Sequence, residues 1–104
     1  MEFNMMEKLA VIKAVDEVIR MDDTIDAGER DYMNQLAATM DFDSGHILQA
    51  REVDAVEAIA VLKVMPEAKK EFLMRSMTRA ANSDGEVDEE EIHFIYRIFS
   101  AAGI

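Results

Sequence analysis

Cysteine is absent from this sequence, and that removes disulfides, thiolate zinc sites and cysteine nucleophiles together while leaving the redox compartment open. No uninterrupted apolar run approaches the roughly 20 residues a membrane-spanning helix needs, so no membrane span is expected. Residues 1–10 carry Glu2 and Glu7 against Lys8, without the basic start of a secretory signal, and a cytoplasmic location is expected. Glycines are few and scattered. Gly28, Gly45, Gly85 and Gly103 form no phosphate-cradling loop, and Ser44, Ser76, Ser83 and Ser100 sit in no nucleophile-elbow context. Positive charge is also scarce, with 11 Lys and Arg against 22 Asp and Glu for a net −11. A nucleic-acid binder gathers Lys and Arg on one face, so that class is excluded. The same balance opposes direct binding of an oxyanion and favours cations or a basic protein partner.

What is present fits one domain spanning residues 1–104. Half the residues are apolar, enough to bury a core at this length without covalent staples. Met5, Leu9, Ile12 and Ile19 recur at helical spacing, leaving Lys8, Lys13, Asp16, Glu17 and Arg20 largely outside the stripe. Tyr32, Met33, Leu36, Ala37 and Met40 mark a second helix. Asp43, Ser44 and Gly45 then form a cap, and residues 46–64 read as a short helix followed by a longer one. Pro66 suits the first turn of a further helix, where its missing N–H needs no partner, and Glu67 complements the helix dipole. Phe72, Leu73, Met77, Ala80 and Ala81 supply the buried face of that helix. Ile92, Ile95, Ile98, Phe99 and Ala102 do so for the last, which Gly103 ends. No stretch alternates as a strand would. The fold class is all-α. Met5, Met33 and Met40 fall on apolar stripes, so the nine methionines read as core filling rather than an adaptable binding surface.

The acids are concentrated in two places. Asp22, Asp23, Asp26, Glu29 and Asp31 form one cluster; Asp84, Glu86, Asp88, Glu89, Glu90 and Glu91 form the other. A gapless shift of sixty-two positions lays Asp22 on Asp84, Ile25 on Val87, Asp26 on Asp88 and Glu29 on Glu91. It continues with Tyr32 on Phe94, Met33 on Ile95, Leu36 on Ile98 and Phe42 on Ile104. Helical periodicity alone aligns apolar positions, but it does not also align three acids around one aliphatic residue. We read two equivalent units, residues 5–42 and 67–104, each a helix, an acidic turn and a second helix, related by a pseudo-two-fold axis. The period is too long and the copy number too low for a solenoid.

The second turn, residues 82–91, supports two readings. In the first it is a cap: Asp88 as N-cap accepts from the Glu91 backbone N–H, Glu91 reaches back, and Asp84 with Gly85 makes the preceding turn. Asp26 and Glu29 repeat the arrangement. Such a cap contributes about 1 kcal/mol to the helix start and binds nothing. In the second reading Asp84, Asp88 and Glu91 converge as oxygen ligands of a hard cation, Ca²⁺ or another divalent ion, with Asp22, Asp26 and Glu29 as the counterpart set. A regular EF-hand is rejected, because Ala80 stands where the opening acid belongs. The first copy is poorer still, with Arg20 in the place of Asn82 and Asp23 in the place of Gly85.

The segment 79–91 and the apolar run after it resemble the signature of the TerB-like domain family: an alanine-bearing helix end, Asp-Gly, an aliphatic residue, and a glutamate four positions later. Ala81, Asp84, Gly85, Val87 and Glu91 match it. Residues 61–72 resemble the approach to that signature, and the first copy resembles the earlier half of the family. The resemblance implies a compact bundle of about six or seven helices and a role in metal-linked stress response, tellurite resistance included. It carries Asp84 and Glu91 over as ligand candidates, with Asp22 and Glu29 as weaker counterparts.

Glu90 and His93 have the Glu-x-x-His spacing of a di-iron bundle, but no second such pair exists and His46 follows Asp43 instead. His46 reads as a surface residue at a helix start. No nucleophile, base and stabiliser can be named together, so an enzyme is not expected. Two classes of function remain. One is a non-enzymatic divalent-cation-binding module. The other is a metal-independent interaction domain whose acidic face docks a protein partner.

Overall fold

The computed structural model describes residues 2–21, 27–82 and 89–104. Among them are six helices and no strand: α1 Met5–Arg20, α2 Ala27–Met40, α3 Ser44–Glu52, α4 Ala55–Lys63, α5 Glu67–Asn82 and α6 Glu89–Ala102. The expectation of an all-α bundle is met. None of these helices is long and apolar enough to cross a membrane.

Local chemistry sets the helix ends. Asn4 caps α1: its Oδ1 accepts from the Glu7 N–H at 2.8 Å, and Glu7 Oε1 accepts from the Asn4 N–H at 2.9 Å. Asp43 opens α3 as expected, its Oδ1 accepting from the Gly45 and His46 N–H groups. Residues 46–64 depart from the expected short-then-long division, because α3 and α4 each have nine residues. The break comes at Val53, which is extended, and at Asp54, whose Oδ1 accepts from the Val56 N–H and starts α4. Pro66 sits just ahead of α5 rather than within it, its carbonyl accepting from Lys69 and Lys70.

α1 is the central element, with α3, α4, α5 and α6 all packed against it. The narrow stripe expected for α1 is therefore too narrow: Val11, Ala14, Val15 and Val18 are buried alongside Leu9, Ile12 and Ile19. Burying side chains of this size contributes about 1.5–3 kcal/mol each. Asp16, expected outside, is only 3% exposed, while Met5, expected inside, is 49% exposed. Leu36 and Met40 of α2 and Leu73, Met77, Ala80 and Ala81 of α5 complete the core with Ile95 and Ala102 of α6. Met33, Tyr32, Phe72, Ile98 and Phe99 pack on its edge, and Ile92 is exposed.

The ranges of α5 and α6 are those of α1 and α2 displaced by sixty-two positions. Their ends agree too. Asp41 has φ +58° and Gly103 φ +76°; Phe42 N–H donates to Ala37 C=O at 3.0 Å, and Ile104 N–H to Phe99 C=O at 2.9 Å. Both are left-handed helix stops, and Gly103 is the terminator anticipated from sequence.

Candidate functional site

Each of α2 and α6 carries a glutamate as its third residue, Glu29 and Glu91. Both side chains are 3% exposed. Glutamate is seldom this deeply buried, because removing a carboxylate from water costs several kcal/mol unless other groups solvate it. One oxygen of each, Oε1 of Glu29 and Oε2 of Glu91, is sealed from solvent. Their positions in the first helical turn add the attraction of the helix N-terminus for negative charge. Glu89 and Glu90, which share that first turn of α6, point to solvent.

Of the six ligand candidates read from sequence, the structure thus places Glu29 and Glu91, on separate helices. Asp22, Asp26, Asp84 and Asp88 lie outside the described residues, as do the proposed N-caps, which are Asp26 and Asp88 again. Among the described residues no three acidic or histidine side chains converge as a metal cluster would.

The histidines are settled by geometry. His93 and Glu90 are exposed. His46 is half-buried rather than simply on the surface: its Nδ1 accepts from the Asp43 N–H at 3.1 Å and closes the α3 capping box, a role usually taken by Glu or Gln.

Two further acids are buried, Asp16 against its expected place outside the α1 stripe and Glu7 with no burial expected. Asp16 receives Arg51 through two bonds, Nε to Oδ2 at 3.0 Å and a terminal guanidinium nitrogen to Oδ1 at 3.1 Å, and Arg20 at 3.3 Å. This pairing, more than its burial opposes it, pushes the Arg51 guanidinium above its usual range. Glu7 meets Lys69 at 2.7 Å. Burial alone raises the Glu7 pKa, but the Lys69 hydrogen bond, the Asn4 N–H and the Lys69 charge together bring it below the ordinary value. The available signal for Asp16 was its setting, an acid flanked by Ala14, Val15, Val18 and Ile19 in an almost continuous apolar stretch.

The family model described as "Tellurite resistance protein TerB" matches residues 8–104 of the chain. No curated protein matches it. A crystal structure of a protein of unknown function from Porphyromonas gingivalis W83 is similar over 100% of this chain and 87% of its own, with a TM-score of 0.79 at 21% identity. That likeness concerns the fold alone.

Proposed function

Because this chain belongs to the TerB tellurite resistance family, whose model spans residues 8–104, we propose that it is a non-enzymatic module that binds a divalent cation at the acidic turns before α2 and α6. The observation that carries the reading is the burial of Glu29 and Glu91 at the same helical position sixty-two residues apart. A glutamate at this position can cap its helix and also offer a carboxylate oxygen to a cation held at the turn. Asp84 and Asp88 would join Glu91, and Asp22 and Asp26 would join Glu29, as hard oxygen donors suited to Ca²⁺ or a similar ion. Asp23, in the place of Gly85, weakens the first turn. Occupancy would steady the start of α2 and α6 and so change the surface that a partner in the stress response reads.

Calorimetric titration of chelator-stripped protein with Ca²⁺, Mg²⁺ and Mn²⁺ tests this. Binding is expected in the parent, and its loss in Asp84→Asn with Glu91→Gln. Unchanged affinity in the folded double variant would remove the site. Absence of binding in the parent would leave both turns as helix caps.

A further inference from the structure

Two grooves on opposite partners of the bundle occupy corresponding positions. The first runs between α1 and α6 and is lined by Ala10, Lys13, Ala14, Glu17, Phe94 and Ile98. Helix α4 seals it with Ala58 and Leu62, leaving a residual cavity of about 30 Å³. Displacing those positions by sixty-two gives Phe72, Arg75, Ser76 and Arg79 on α5, while Phe94 and Ile98 correspond to Tyr32 and Leu36 on α2. These six residues line the second groove, between α2 and α5, and its cavity measures about 260 Å³. The helices that follow the first unit, α3 and α4, pack on α1, so α5 lacks the cover its counterpart has.

The chemistry of the two grooves differs as much as their filling. In the sealed groove Lys13 and Glu17 neutralise each other at 3.4 Å, one turn apart. In the open groove Arg75 and Arg79 take those places, and like charges at this spacing repel. Neither arginine forms an ion pair with a described residue. Among the described residues no acid lines the pocket, although the chain has twice as many acids as bases. Glu71, one turn before Arg75, and Asp31, beside Tyr32, are exposed, while Glu29, one turn before Tyr32, is buried. Tyr32 adds a hydroxyl: burial raises its pKa, against the opposing Ser76 hydroxyl and Arg79 charge, so it remains a protonated donor at neutral pH. Gln35 adds an amide. Phe72 and Leu36 form an apolar wall beside these groups.

We propose that the pocket between α2 and α5 binds a phosphate group, free or carried on a small organic body. Two guanidinium forks match the charge of a phosphate dianion and its several acceptor oxygens better than those of a single carboxylate. A water occupies about 30 Å³ of liquid, so a cavity of 260 Å³ leaves room beside a phosphate for a small body against Phe72 and Leu36. The net charge of the chain opposes any anion, but charges beyond about 8 Å are screened at physiological salt, and the charged side chains among the described lining residues are Arg75 and Arg79. This assignment is independent of whether the acidic turns hold a cation.

The test is an NMR titration, following backbone amides and arginine Nε–H signals, with inorganic phosphate and with phenyl phosphate against sodium chloride at matched ionic strength. Saturable shifts are expected at Arg75, Arg79 and the 32–36 turn of α2. Arg75→Gln with Arg79→Gln, both exposed side chains, should weaken binding about tenfold or more. Lys13→Gln in the sealed groove should leave it unchanged. Tighter binding of the phenyl ester assigns the pocket to a phosphate monoester, and equal binding assigns it to free phosphate. Shifts that chloride reproduces, that never saturate, or that persist in the folded double variant overturn the proposal.

Discussion

Glu7 and Lys69, sixty-two positions apart, meet at 2.7 Å where α1 packs on α5, and each is the counterpart of the other under the displacement that relates those helices. The pair is largely withdrawn from solvent, with 18% of the Lys69 and 10% of the Glu7 side chain exposed, and Lys69 also lies 5.4 Å from the centre of the Phe3 ring, which packs at a tilt of 54° on Phe72 at 5.2 Å. The contact therefore fastens residues before α1 as well as the two helices.

Replacing Lys69 with Met should destabilise the fold by about 2 kcal/mol, since it strands a carboxylate that is mostly out of water. Urea unfolding at neutral pH measures the loss. A variant as stable as the parent would show that the pair contributes nothing.

The same pair carries a pH signature. Glu7 is held below 4.5 in the fold, so its contribution is present above the unfolded value and disappears as pH falls through the folded one. The stability difference between the parent and Lys69→Met should be full at neutral pH and shrink as pH falls through the carboxylate range toward the folded value of Glu7, below 4.5. Denaturant curves at a series of acid pH values check this, and a difference that does not change with pH contradicts it.

Asp16 and Arg51 should be strongly coupled. The carboxylate is 5% exposed and the guanidinium 39%, and two hydrogen bonds join them. A double-mutant cycle with Asp16→Asn and Arg51→Ala should give an interaction energy of about 1–2 kcal/mol. Additive effects would mean that Arg20 alone neutralises Asp16.

The two helix stops predict opposite responses. Asp41 bears a side chain at φ +58°, whereas Gly103 has φ +76° with space for a Cβ, the nearest atom being Lys70 Nζ at 3.8 Å. Asp41→Gly should raise stability by about 0.5 kcal/mol, and Gly103→Ala should lower it by about 1 kcal/mol through backbone strain alone. Thermal unfolding of the two variants provides the comparison.

The helices were legible because apolar residues at a spacing near 3.6 imply a buried stripe, and because Asp43 and Gly103 are start and stop residues with a local mechanism. The reading failed where burial depends on distant chain. A stripe argument assumes one wet face, yet α1 is enclosed by four helices, so Asp16 was placed in solvent. Asp54 was overlooked as a cap because the apolar pattern runs on past it into α4. The carboxylates of the acidic turns were visible as a motif, but the burial of Glu29 and Glu91 was not, since an acidic run in sequence looks like a solvated surface. The open pocket at Arg75 and Arg79 was invisible for a simpler reason: it exists because α4 covers one groove and not the other.

A divalent cation held between the acidic turns and the glutamates that open α2 and α6 would stabilise the folded state. Thermal unfolding of chelator-stripped protein, with and without millimolar Ca²⁺, Mg²⁺ or Mn²⁺ at fixed ionic strength, tests it most directly. An ion at about 100 times its dissociation constant adds roughly 2.7 kcal/mol of stability, which for a domain of this size raises the midpoint by at least about ten degrees. The account predicts such a rise with one cation and its loss in Glu29→Gln with Glu91→Gln. No rise with any of the three ions would contradict it.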